Sequence, residues 1–272
     1  MKQILSFIKT YVILVILFVA QKPLFLLLEK SSTAPQTMNI WDSMPQVIWH
    51  GLSLDLGMAG YLSVIPGLLL LVSIWIRKKL VYPILNIYFG IVAFMGAFLF
   101  VLNLGLYPYW NFPLDSTPLF YFFTSPKDAL ASVSFLYIFL AFLAILVSAI
   151  GVWFILRVTI KKKTYRCRYT SYGFGDCRGG RRSSYDSDIE RHRLRSSLIL
   201  LVLTALLFLP IRGGVTVSTN NTGKAYFCQD AFLNHAAVNP MFSLFESLSH
   251  QEDFAAQYRY MDNAEEIGRA HV

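Results

Sequence analysis

Five polar residues stand where chemistry is conceivable: His50, Asp55, Asp115, Arg212 and His235. His50 and Asp55 open a long apolar run, and an ionisable side chain at membrane depth is a functional candidate because burying it is costly. They also suit a plainer role, a buried hydrogen-bonded pair fixing helix packing near the interface, where the cost of charge falls. Arg212, followed by two glycines, offers a planar fork to a lipid phosphate or anchors a helix end. His235, between Asn234 and Asn239, is a candidate ligand or base. No second His, Cys or Asp stands at ligand spacing, so it fits better as a tie within a loop. Asp115, in the run 114–120, completes the set as a contact to a lipid headgroup or a structural residue. Cys167, Cys177 and His192 are too scattered for a zinc site, and no Gly-x-x-x-x-Gly-Lys loop occurs. No catalytic, cofactor-binding or metal residue is assigned.

The elements that must position these residues are apolar. The chain has 272 residues, of which 55% are hydrophobic and 15% charged, too few charges to wet a soluble domain of that length. Runs at about 4–28, 54–76, 80–104, 133–156 and 194–211 each reach or approach the roughly 20 residues that cross about 30 Å of hydrocarbon as helix. None alternates like a barrel strand. The expectation is an all-α membrane protein, with five transmembrane helices within residues 1–212. The first run lacks a small-x-small cleavage pattern at Phe18-Val19-Ala20 and is read as an uncleaved span. Lys9 and Lys22 are read as snorkelling to the headgroups.

Charge orients the bundle. The net charge is +8, and residues 157–195 hold twelve Lys/Arg against four Asp/Glu, so this one loop carries all of it. That asymmetry places the loop and the N-terminus in the cytoplasm and the C-terminus outside. It also argues against nucleic acid and for attraction to anionic lipid headgroups. The connections 29–53 and 105–132 hold few Lys/Arg and many aromatics, the second broken by prolines and read as a folded loop on the outer leaflet. A transporter or flippase subunit is the alternative class; no inverted repeat or intramembrane charge cluster favours it.

Residues 213–265 read as an extracytoplasmic linker. A hairpin or extended turn is expected around Asn221-Thr222-Gly223, and Asn220-Asn221-Thr222 is a weak glycosylation match. Asn239 and Pro240 are the N-cap and first position of a short helix with Met241, Leu244, Phe245 and Leu248 on one face. That helix is expected to lie flat on the bilayer, packing Met241, Phe245 and Leu248 against the aromatic loop 107–123. Ser249 and Glu252 form a capping box for a second helix through about Met261. The final segment Glu266-Ile267-Gly268-Arg269-Ala270-His271-Val272 translates a common sequencing adapter (GAG-ATC-GGA-AGA-GCA-CAC-GTC) and is excluded. The natural chain is then expected to continue past Glu265.

Several stretches carry a resemblance: Trp49-His50-Gly51-Leu52-Ser53-Leu54-Asp55, Leu114-Asp115-Ser116-Thr117-Pro118-Leu119-Phe120, Pro126-Lys127-Asp128-Ala129, Arg212-Gly213-Gly214, Tyr258-Arg259-Tyr260-Met261-Asp262 and, most specific, Asn234-His235-Ala236-Ala237-Val238-Asn239-Pro240. With five spans and an outer C-terminus, the chain resembles the membrane part of lipoteichoic acid synthases and related sulfatase-like phosphoglycerol transferases, Gram-negative branch. The resemblance implies a bacterial cytoplasmic (inner) membrane location. It also implies a following alkaline-phosphatase/sulfatase-type domain, with a Thr or Ser nucleophile and a divalent metal, usually manganese. The partners implied are membrane lipids and that catalytic domain. Its nucleophile and metal ligands would lie past residue 265, so the fragment alone is expected to be inactive.

Overall fold

A computed structural model describes residues 2–33, 40–76, 78–124, 134–160, 182–215 and 218–250. The proposed second short helix beyond Ser249, the adapter-like end and most of the basic loop lie outside them. Among the described residues the only regular structure is helical. Helices α1 (Lys2–Thr33), α2 (Ile40–Trp75), α3 (Lys78–Trp110) and α5 (Phe135–Thr159) are long. Helix α6 (Arg182–Leu206) continues through a turn at Leu207 into α7 (Phe208–Arg212). Three short helices complete the set: α4 (Thr117–Thr124), α8 (Ala231–Ala237) and α9 (Pro240–Ser249). Five helical stretches are long and apolar enough to cross a membrane: Lys2–Glu29, Ile40–Trp75, Leu80–Trp110, Phe135–Thr159 and Arg191–Arg212.

Helix α2 is the axis of the bundle. It packs against α1, α3, α6, α7 and α8, while α5 lies chiefly along α3. Small residues let the neighbours close in, as expected where lipid supplies no hydrophobic drive between helices. Gly60 faces Ile211 and Gly67 faces Phe7 and Thr204. At one end, Ser6 Oγ donates to the Thr159 carbonyl and the Thr10 and Thr159 hydroxyls meet at 3.1 Å, tying α1 to α5.

Two boundaries differ from the sequence expectation. Helix α2 begins at Ile40, inside the connection read as 29–53, because its buried stripe of Ile40, Val47, Gly51, Leu54 and Met58 keeps helical spacing upstream of the fully apolar run. Helix α3 runs to Trp110 and ends where Asn111 takes a positive φ of 54°. The rest of the aromatic connection is partly helical, as α4. Of the hairpin or extended turn expected around Asn221, residues 216–217 lie outside the described residues. Thr222–Ala225 is a single 3-10 turn capped by the Asn221 side chain, which accepts from Lys224 N.

Candidate functional site

The centre of interest is an ion pair between two apolar helices. Lys22 Nζ of α1 lies 2.6 Å from Asp55 Oδ2 of α2, with side chains 2% and 0% exposed. This overturns the view of Lys22 as a snorkelling residue. A lysine this deep cannot reach water, and the carboxylate beside it supplies the compensation that the headgroups would have given. Nor is Asp55 paired with His50. That imidazole stacks on Phe227 at 4.5 Å and 10°, and its Nδ1 sits 2.9 Å from the Gln46 carbonyl. Two opposite charges thus meet between helices long and apolar enough to cross a membrane.

The third partner comes from much later in the chain. Asn239 donates from Nδ2 to Asp55 Oδ1 at 2.9 Å. Its Oδ1 accepts from Met241 N and Phe242 N at 3.0 and 3.2 Å, so it is also the N-cap of α9. The cap expected from Asn-Pro is therefore present, and the same side chain bolts the helix to the ion pair. Gly51 makes room for this meeting. A Cβ there would collide with the Ala237 carbonyl and the Lys22 stem, so α2 must present bare backbone where α8 ends.

Around the clamp the polar groups of several elements converge. Tyr107 Oη and His235 Nδ1 share a hydrogen bond of 3.1 Å, and Tyr107 also meets Phe25 edge-on at 4.8 Å. Burial pushes the His235 imidazole below its ordinary pKa, and nearby Asp230 opposes the shift. His235 is thus a tie between α8 and α3. Asn234 ties α8 to its own approach, accepting from Phe227 N and Cys228 N and donating to the Cys228 carbonyl. A cavity of about 10 Å³ lies among Lys22, Asn103, His235 and Asn239. That is about one water in size, too small for a substrate.

The other candidates are placed elsewhere. Asp115 accepts from Thr117 N and Oγ1 and so starts α4. Arg212 is exposed and its guanidinium has no partner among the described residues; its carbonyl accepts from Asn220 N. Gly213, at φ 88°, turns the chain after it. Asn220 spends its amide nitrogen on the carbonyls of Ser53, Pro210 and Ile211 and accepts from Ser53 Oγ, which makes it a structural bracket rather than a glycan acceptor. No group of three or more His, Cys, Asp or Glu among the described residues could hold a metal ion.

Helix α9 corrects a further expectation. Pro240 to Leu244 are buried, with the Met241 methyl facing Gly96 of α3, whereas Phe245 and Leu248 are 41% and 39% exposed. The bond from Asn239 to Asp55 ties the N-terminus of the helix to α2, and Phe242 rather than Phe245 is the phenylalanine covered there. Its link to the aromatic connection is polar: Ser247 Oγ meets Ser116 Oγ at 2.9 Å. Sequence reasoning missed Lys22, Asn239 as a core residue, Tyr107 and Asn220. One signal was available: Lys22 and Asp55 stand in apolar surroundings on either side of the first connection, with opposite charges.

No family model matches this chain, and no curated protein or solved structure matches it.

Proposed function

We propose that the chain is the membrane module of a sulfatase-like phosphoglycerol transferase and holds a catalytic domain at a lipid surface. One observation carries the reading: the segment after the last span is clamped to the bundle through Asn239, Asp55 and Lys22. Two of the stretches that bear the resemblance, 49–55 and 234–240, meet at that clamp. A headgroup reaction needs its active site held at headgroup depth, and a fixed exit serves this where a free tether would not. In this reading the N-terminus and the basic loop are cytoplasmic, the clamp end is external, and the membrane is a bacterial inner membrane. Manganese or a similar divalent ion would belong to the following domain.

Two measurements test it. Reporter fusions after Lys163 should score cytoplasmic and those at Trp110 and Phe245 external; a cytoplasmic score at Phe245 removes the anchor reading. In the chain extended by its following domain, Asn239→Ala should lower lipid headgroup turnover severalfold while hydrolysis of a small soluble diester persists. Equal loss of both would make the clamp a folding element only.

The buried ion pair also favours a second reading, a transporter subunit, because ionisable groups inside apolar helices often line ion paths. The one-water size of the adjoining cavity argues against it. Proton or ion flux into vesicles containing the chain alone, abolished by Asp55→Asn, would establish the transporter instead.

A further inference from the structure

At the end of the bundle away from the clamp, α2 and α6 diverge and leave an apolar groove of about 440 Å³, walled by Leu71, Trp75, Ile76, Leu194, Leu198 and Leu201. Twenty residues separate Asp55 from Trp75, so about 30 Å of helix lies between clamp and groove. The groove has the volume of a small-molecule site and almost no polar lining. Its one cross-link is Trp75 Nε1 donating to Ser197 Oγ at 3.0 Å, which fixes the indole at the groove's edge while the ring stays 58% exposed.

What covers this groove is indicated by the charge at its mouth. Arg191 precedes Leu194 by three residues and so lies one turn beyond it on the same face of α6. Arg195 flanks the same stripe. Both side chains are exposed, and neither has a carboxylate partner among the described residues. An apolar slot that ends in exposed guanidinium groups matches one ligand class, an acyl chain joined to a phosphodiester.

We propose that the groove between α2 and α6 binds one anionic glycerophospholipid, its acyl chain along Leu71, Leu198 and Leu201 and its phosphate on Arg191 and Arg195. The site is independent of the anchor reading, since it lies at the opposite end and needs no catalytic domain. A zwitterionic lipid would fill the slot equally well but, with no net charge, would leave the charge of the two guanidinium groups uncompensated. The expected preference is therefore electrostatic in origin and acyl-dependent in affinity.

The test is native mass spectrometry of the full chain in detergent, titrated with phosphatidylglycerol or phosphatidylcholine of identical acyl chains. One phosphatidylglycerol should be retained about thirtyfold better, the scale expected of two basic residues near an anionic headgroup. Leu198→Trp, which fills the slot, and the double variant Arg191→Gln/Arg195→Gln should each erase that difference. Equal retention of the two lipids overturns the proposal. So does an undiminished preference in Leu198→Trp, which would mean that the basic stretch holds headgroups without a slot. Displacement of the lipid by an equal concentration of glycerol phosphate also overturns it, because the acyl chain would then contribute nothing. Should Leu198→Trp fail to fold, brominated phosphatidylglycerol decides. It should quench the fluorescence of the unmodified chain, and Trp75→Phe should lose the component that saturates at one lipid per chain. Quenching unchanged in Trp75→Phe removes the site.

Discussion

Helices α2 and α5 are both apolar enough to cross a membrane, yet α2 buries fourteen residues inside the protein and α5 buries three. The more hydrophobic-looking of the two is the peripheral one. Helix α5 is built of Phe, Leu, Ile and Val, whose bulk suits lipid on every side. Helix α2 carries Asp55, Ser63, Ser73 and a series of glycines, and all of these lie in its buried face beside Val47, Leu54 and Leu70. In a bilayer the apolar side chain no longer marks the core, because lipid tails accept it as readily as protein does. Small and polar residues mark it instead.

The strongest way to break this comparison is to unbalance the ion pair. Asp55→Asn leaves Lys22 buried without its counter-charge, and losing one partner of a buried pair costs about 3–5 kcal/mol. Lys22→Met should cost a similar amount. The double variant Lys22→Met/Asp55→Asn should recover much of the loss, as a double-mutant cycle of unfolding in mixed micelles will show. Phe142→Ala on the lipid-facing side of α5 should stay within about 0.5 kcal/mol of the parent. If Phe142→Ala proves as damaging as Asp55→Asn, the assignment of core and periphery is wrong.

A pair of matched substitutions sharpens the contrast. Gly51→Ala on α2 places a methyl against the Ala237 carbonyl and the Lys22 stem, and overpacking of this kind costs about 1–3 kcal/mol. Gly151→Ala on α5 meets open space and should be neutral, or stabilising by roughly 0.5–1 kcal/mol through helix propensity. Unfolding midpoints of the two variants in one micelle system check both signs.

The smallest expected effect concerns His235. Its folded-state pKa is depressed by burial, so the unfolded chain takes up the proton first as pH falls. The contribution of the histidine is complete above its ordinary value of about 6.5 and is lost as pH drops through that value toward the folded one. Amide exchange at Ala236, Ala237 and Val238 should accelerate over that window relative to a distant helix. His235→Gln should flatten the dependence. An unchanged profile in that variant would assign the effect to another group.

The five spans were legible in the sequence because length and hydropathy fix them almost alone, and the Asn239 cap was legible because it depends on adjacent residues. The clamp was not. Lys22, Asp55 and Asn239 are joined only in the folded bundle, and nothing local distinguishes a lysine that snorkels from one that is paired. The burial of Phe242 in place of Phe245 has the same origin. A helical stripe tells which side chains share a face, but the bond from Asn239 decides how the helix is aimed. Of the five candidate residues, Asp55 joins the clamp and His235 ties α8 to α3, while His50, Asp115 and Arg212 have local duties.

The 184 residues between Asp55 and Asn239 bear on how the protein is made. At typical synthesis rates that stretch takes roughly 10 to 40 s to emerge. During this interval the first two helices are already available to pair Lys22 with Asp55, whereas Oδ1 of the carboxylate still awaits its donor. Closure of the bundle is thus deferred until nearly all the described chain exists. A nascent chain halted before residue 239 carries an incompletely bonded carboxylate among apolar helices, a defect that membrane quality control is equipped to find.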